Sequence, residues 1–274
     1  MTQKPTLVPR THQGVVAWTD ERDGAIVAFS ERVGGVSRGA YSSLNLASHV
    51  GDTPEDVDEN RLRLLACLDL EGLSERLVTA EQVHGASIAL VTESDAGRGA
   101  SARGARAPIP RTDALVTTEP GIPLMLCFAD CVPVVLVAPS GGVAVAHAGW
   151  RGALDSIPGA TARRLAEEAC CESSDLAAYI GAHIGACHYE VGPEIMSQFC
   201  NAFGTVARAD SGGLNLDAVV TASLVDAGVA PCSIARLGTC TAEATDRFYS
   251  YRAEDRRTGR HAALVCIRPR ASLS

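Results

Sequence analysis

Apolar residues run through this chain in blocks of strand length. Runs at 15–18 and 25–29 flank the polar stretch Asp20-Glu-Arg-Asp-Gly24 and predict an opening pair of strands around a turn. Further apolar runs at 87–92, 114–117, 124–129, 134–138 and 143–147, separated by turn residues, predict more strands, and 262–268 predicts a last one. Elsewhere the spacing is helical. Val57, Leu64, Leu65 and Leu68 share one face of a helix beginning near Thr53, with Pro54 at its first position and Asp56 completing a capping box. Helices are also predicted at about 160–170, 193–203 and 216–228. Strands and helices mix without regular βαβ alternation, so the expected class is α/β of the α+β kind.

Two segments break the periodicity. Residues 32–39 form a glycine-rich loop. Residues 93–112 are rich in Gly, Ala, Ser, Arg and Pro and predict a mobile surface loop, a candidate lid. Its arginines Arg98, Arg103, Arg106 and Arg111 read as solvated charges in preference to phosphate ligands. With no internal repeat or linker, the expectation is an N-terminal tail at 1–14 and a single domain over 15–274.

Composition narrows the class of function. The chain has 274 residues, 46% hydrophobic and 20% charged, as soluble globular proteins do, and a net charge of −8 argues against a general affinity for nucleic acid or anionic membrane. No run is long enough for a transmembrane helix and the N-terminus lacks a secretory apolar segment, so a cytoplasmic monomer without a membrane partner is expected. The ten cysteines show no framework spacing and no C-x-x-C, and most read as small buried hydrophobes.

Cys131 is the exception. A hairpin turn centred between Ser140 and Gly141 would set His147 opposite Val134, with Cys131 three residues further along. Thiol and imidazole then emerge at one end of one hairpin. The pair allows two chemistries. Cys131 can be a nucleophile with His147 as base, or both can bind a metal with His84, in Gln82-Val-His-Gly85, as third ligand and one position left open. Gly35-Val-Ser-Arg-Gly39 fits a nucleophile-elbow expression, but no helix follows it. Dinucleotide and P-loop motifs are absent. Seven histidines without a His-x-His pair are too few for blue and trinuclear copper centres together. His183 and His188, near Cys187, read as ordinary loop histidines.

Several motifs then occur in order: Phe29-Ser-Glu-Arg-Val-Gly-Gly-Val-Ser37, Ser43-Leu-Asn-Leu46, Gln82-Val-His-Gly85, Ala129-Asp-Cys-Val-Pro-Val134, Ala146-His-Ala-Gly-Trp-Arg-Gly152, Tyr189-Glu-Val-Gly192 and Phe248-Tyr-Ser-Tyr-Arg252. Over about residues 15–268 the chain resembles the zinc-dependent purine nucleoside phosphorylases, once labelled multicopper polyphenol oxidases or laccase-domain proteins. Ala182 departs from the proline usual there. The resemblance implies a compact four-layer α/β/β/α sandwich. It carries the metal ligands onto His84, Cys131 and His147, with zinc as the ion and copper an alternative at the same donors. It also implies purine nucleosides (adenosine, inosine, guanosine, methylthioadenosine) and phosphate as substrates, free base and ribose 1-phosphate as products, and adenosine deamination by a metal-activated water. Cys131, Asp130 and Arg151 are the expected catalytic residues. Arg32 and Arg151 are expected to meet phosphate and Asn45 the ribose or base. Asp130 serves either as acid/base or as an orienting group for the site. Two alternatives stand beside this: a cysteine hydrolase editing UDP-MurNAc peptidoglycan precursors, with Cys131 as nucleophile and His147 as base, and a copper-dependent polyphenol oxidase.

Overall fold

The structure, a computed structural model, describes residues 4–104, 106–139 and 141–269. In chain order its elements are β1 (Val8–His12), β2 (Val15–Arg22), β3 (Ala25–Ser30), α1 (Pro54–Cys67), β4 (Ile88–Leu90), β5 (Ala114–Thr117), β6 (Leu124–Phe128), β7 (Val132–Ala138), β8 (Gly142–Ala148), α2 (Trp150–Leu154), α3 (Ile157–Glu168), β9 (Ala177–Ile180), α4 (Pro193–Phe203), α5 (Leu216–Asp226), β10 (Ile234–Arg236) and β11 (His261–Ile267). They build two sheets. One has the order β1-β2-β3-β11-β6, all antiparallel; the other has the order β10-β9-β7-β8-β5-β4, with β4–β5 and β9–β10 parallel. Among the described residues no helix is long and apolar enough to cross a membrane.

Three apolar layers hold the sheets and helices together. Val27 and Phe29 of β3, Leu126 and Phe128 of β6, and Val265 of β11 meet Val135, Val137, Val143 and Val145 between the two sheets. Leu64, Leu65 and Leu68 from α1 and its end pack on the outer face of the first sheet, against Val15, Ile26 and Leu264. Leu165 of α3 with Val220 and Leu224 of α5 cover the outer face of the second, against Val134, Leu136 and Ala144. The result is the expected four-layer α/β/β/α sandwich. β7 and β8 are buried on both faces, which is why they read as continuous apolar runs and not as alternating ones.

The structure corrects several expectations. Part of the expected 1–14 tail is strand: β1 pairs with β2 through a two-residue turn at Gln13 (φ 48°) and Gly14 (φ 84°), the backbone that suits a tight hairpin. Strands β9 and β10 and the short helix α2 were not expected, and β4 is shorter than 87–92. Thr53 makes no side-chain cap on α1; Asp52 instead accepts from the Thr53 amide at 2.9 Å.

Among its described residues, segment 93–112 is tied to the core, which speaks against the expected mobile lid. Thr79 N donates to Arg98 O, Ile109 N to Thr79 O, and buried Arg61 donates to Gly99 O at 2.8 Å, so the core holds the segment's backbone. Arg98 and Arg106 donate to carbonyls of the same segment and Arg103 pairs with Asp58, which leaves those charges engaged away from the site. Ser140, half of the expected turn centre between β7 and β8, lies outside the described residues.

Candidate metal centre

Register decides the site. His147 pairs with Pro133, not Val134, one residue off the expected hairpin. A one-residue slip exchanges the faces of a strand. In the observed register position 131 shares a face with 133, and hence with His147, on the side that looks toward the other sheet. Phe128 from that sheet packs on the His147 ring, centroids 5.4 Å apart. The thiol and imidazole therefore meet at the rim of the inter-sheet layer.

The third member arrives on a loop. His84 sits in the left-handed region (φ 61°) between Thr79 and β4. Gln82 clamps this loop to the edge of β6 by an amide pair, donating to Cys127 O at 2.8 Å and accepting from Cys127 N at 2.9 Å. Asp113, fully buried at the start of β5, finishes the job: its carboxylate accepts from the amides of Val83 (3.2 Å), His84 (3.0 Å) and Gly85 (2.8 Å). The same carboxylate lies 2.8 Å from His147 Nδ1. One acid thus orients both imidazole-bearing segments. With Nδ1 occupied by Asp113, the other ring nitrogen of His147 is the one left for a ligand. The donor atoms of His84, Cys131 and His147 all lie within 4.8 Å of one another.

Electrostatics follow from this geometry. Burial favours a neutral Cys131 thiol, but the His147 charge and hydrogen bonds from His147 and His84 bring it down to about 6. Burial likewise opposes charge on His147, yet Cys131 and Asp113 push it up to about 9. Burial works against the Asp113 carboxylate too, and its bonds from His147 and the backbone amides still hold it below the usual range. Two imidazoles and a readily formed thiolate are a donor set suited to zinc or copper, with three protein ligands and room for a fourth. Gly149 lets the chain pass over them: a Cβ there would sit 2.8 Å from His84 Cδ2 and 3.3 Å from Cys131 Sγ.

The donors open into a cavity of about 930 Å³. Trp150, Tyr189 and Tyr251 supply aromatic faces; Arg151, Arg252 and Arg256 supply positive charge. Arg151 stacks on the Trp150 ring at 4.5 Å, and its guanidinium makes no hydrogen bond or ion pair among the described residues, so its donors face the cavity unspent. Arg252 lies over the Tyr189 ring at 5.2 Å.

Three expected site residues have other work. Arg32 does not line the cavity. Its guanidinium donates to Ser42 O (2.8 Å), Thr245 O (2.7 Å) and Glu254 (2.8 Å) and stacks on Tyr249, so it staples two loops and is not free for phosphate. Asn45 is fully buried; it donates to Ala47 O and Asp52 and accepts from the amides of Ala47 and Arg260, which leaves nothing for a ribose or base. Asp130 does border the cavity, but Oδ1 accepts from Thr241 (2.6 Å) and Ser250 (2.7 Å) and Oδ2 from the Arg252 amide (2.7 Å). It anchors the cavity wall and does not stand free as an acid or base. Asp113 was missed: a lone Asp ahead of an apolar run carries no local motif, and only the β5–β8 pairing brings it to His147.

Comparison with known proteins agrees with this architecture. Residues 26–268 match the family described as multi-copper polyphenol oxidoreductase laccase. Purine nucleoside phosphorylase SCO2081 of Streptomyces coelicolor is 40% identical over 258 residues, 92% of this chain and 100% of the relative. Purine nucleoside phosphorylase YlmD of Geobacillus stearothermophilus is 38% identical over 250 residues, 88% of this chain and 90% of the relative. The crystal structure of YlmD from Geobacillus stearothermophilus superposes with a TM-score of 0.85 at 36% identity, covering 95% of this chain and 98% of that one.

Proposed function

The chain belongs to the multi-copper polyphenol oxidoreductase laccase family, and from that membership and from its similarity to relatives named purine nucleoside phosphorylase we propose that it is a metal-dependent purine nucleoside phosphorylase centred on His84, Cys131 and His147. The observation that carries the reading is the convergence of those three donors, oriented by Asp113, at the floor of an aromatic and cationic cavity. Zinc is the proposed ion. When bound, it supplies a Lewis-acidic centre with one coordination position open to substrate or water.

The reaction joins a phosphate oxygen to the ribose anomeric carbon as the bond from that carbon to the purine nitrogen breaks; the base leaves with the electron pair and takes a proton. The chain's own residues arrange this. Arg151 and Arg256, which both line the cavity, offer guanidinium forks for phosphate oxygens. Tyr189, Tyr251 and Trp150 offer faces for a purine. The anchored wall, tied through Asp130 to Thr241, Ser250 and Arg252, keeps the aromatic and basic groups in register with the ligands. Adenosine, inosine, guanosine and methylthioadenosine are the proposed substrates. Deamination of adenosine, water replacing ammonia at purine C6, is proposed as a second activity of the same centre.

A second reading draws on one observation: Asp113, His147 and Cys131 form a relay of the kind a cysteine hydrolase uses. A hydrolase would not need His84, whose ligand atom joins the same cluster. The protein should release free base and ribose 1-phosphate from adenosine or inosine only when phosphate is present, and Cys131→Ala should lose turnover together with the metal of this centre. Turnover retained in Cys131→Ala with this centre empty would reject the proposal; an acylated Cys131 trapped from an amide substrate would favour the hydrolase.

A further inference from the structure

A second group of metal-type donors lies outside the centre just described. After β9 the chain turns through Gly185, Cys187 and His188; after β10 it runs alongside in the same direction, His183 bridging to Cys240 in parallel. The two passes bring Cys187, His188, Cys240 and Glu243 together, every donor atom within 4.8 Å of every other. His188 Nδ1 is 3.1 Å from Cys187 Sγ, 3.8 Å from Cys240 Sγ and 3.6 Å from Glu243 Oε1, and Cys187 Sγ is 3.3 Å from the same carboxylate oxygen. A tetrahedral zinc ion with ordinary bonds to sulfur, nitrogen and oxygen sets its ligand atoms about 3.3–3.8 Å apart. Three of these four spacings fall in that range and the fourth, 3.1 Å, lies just below it. Gly185 completes the cradle: a Cβ there would come within 3.1 Å of Cys187 Sγ and 3.3 Å of Cys240 Sγ, and its amide donates to Cys240 Sγ at 3.1 Å.

We propose that Cys187, His188, Cys240 and Glu243 form a second zinc site, closed by four protein ligands and structural in role. Two thiolates, one imidazole and one carboxylate favour zinc over the oxygen-seeking cations. On binding, each thiol loses its proton to solvent and no electron changes hands. Cys187, His188 and Glu243 are exposed, so the ion has a path in. With four ligands from the protein, no position is left for substrate, unlike the three-donor centre.

The site's effect is mechanical. It ties 185–188 to 240–243, the two segments that continue directly into the cavity wall. Tyr189 follows one; Thr241, which bonds Asp130, belongs to the other; and Arg252 donates to His188 O at 3.4 Å. His188, read from sequence as an ordinary loop histidine, thus has a structural reason for its place. The inference does not depend on the phosphorylase reading, since neither the donors nor their spacing involve a nucleoside.

Metal counting tests it. Protein produced with zinc and freed of loose metal should carry two zinc ions per chain. The Cys187→Ser/Cys240→Ser protein and the Cys131→Ala protein should each carry one. Cobalt(II) added to metal-free Cys131→Ala protein gives a direct spectral check that needs no further folding variant. The second site should show thiolate-to-cobalt absorption with tetrahedral visible bands, and His188→Ala should weaken them. One zinc per chain in the unaltered protein, two retained in the double-serine variant, or no thiolate band in the Cys131→Ala protein would overturn the proposal. So would a Cys187–Cys240 disulfide found by mass spectrometry in protein purified anaerobically with zinc. Loss of nucleoside turnover in Cys131→Ala with its single zinc intact separates this site from the catalytic one.

Discussion

Asp113 is where the site is most sensitive. Its carboxylate takes three loop amides and His147 Nδ1, so it sets both the His147 tautomer and the His84 backbone. Asp113→Asn keeps the shape but replaces an acceptor-only group by one that must present an NH₂ to some of these donors. Loss of such an orienting group costs about 10–100-fold in metal affinity. Competition against a chelator should show that loss with the fold intact by circular dichroism; unchanged affinity would mean that Asp113 does not orient the ligands. At this scale sequence was an uneven guide. His84, Cys131 and His147 stood in recognisable motifs. Arg32 and Asn45 stood in motifs as well, yet their buried donors and acceptors are spent on loop closure, which no local pattern distinguishes from ligand binding. Asp113 stood in none.

Elements place these residues to within a side chain's length. β7 and β8 bring His147 to the rim, and α2 begins immediately beyond at Trp150, so Gly149 is the crossing point of strand, helix and ligands. Gly149→Ala forces a methyl against His84 and Cys131. A displacement of about 1 Å in a positioned group can cost about a hundredfold in rate, so turnover should fall by up to that factor while the melting temperature stays near that of the parent. A full-activity alanine variant would contradict the close packing. The strands themselves were legible as apolar runs, because β7 and β8 are buried on both faces. Their register was not. An error of a single residue at the turn would have put Cys131 and His147 on opposite faces, and turn geometry, not strand composition, fixes that choice. The N-terminal strand was missed for a related reason: Gln13-Gly14 carries the positive φ values of a tight hairpin with half of the usual sequence signal. Asp23-Gly24, with φ of 51° and 75°, carries the full one and was read as part of a turn, although that turn was expected to begin at Asp20 and β2 runs on to Arg22.

The whole molecule stores an acid sensitivity in the layer between its sheets. His261 at the start of β11 is buried beside Phe128 and Phe248, away from any charged partner among the described residues. Burial pushes it down to about 3. In the unfolded chain the ring titrates at about 6.5. The folded state is therefore at full strength with respect to this group above about pH 6.5 and loses stability as the pH falls from there toward 3. His261→Phe should flatten that acid limb: the urea midpoint of the parent should drop more between pH 7 and pH 5 than that of the variant. Parallel curves would show that His261 does not hold a neutral ring in the fold. On the proposed function, one divalent ion gripped by His84, Cys131 and His147 is required for phosphate-dependent cleavage of purine nucleosides. Metal content and ribose 1-phosphate formation measured on the same samples, as the centre is stripped by chelator and refilled with zinc, test it most directly. Product formation rising and falling with zinc at these donors, and absent in the His84→Ala, Cys131→Ala and His147→Ala proteins, is the expected result; steady turnover in chains from which this zinc has been removed would contradict it.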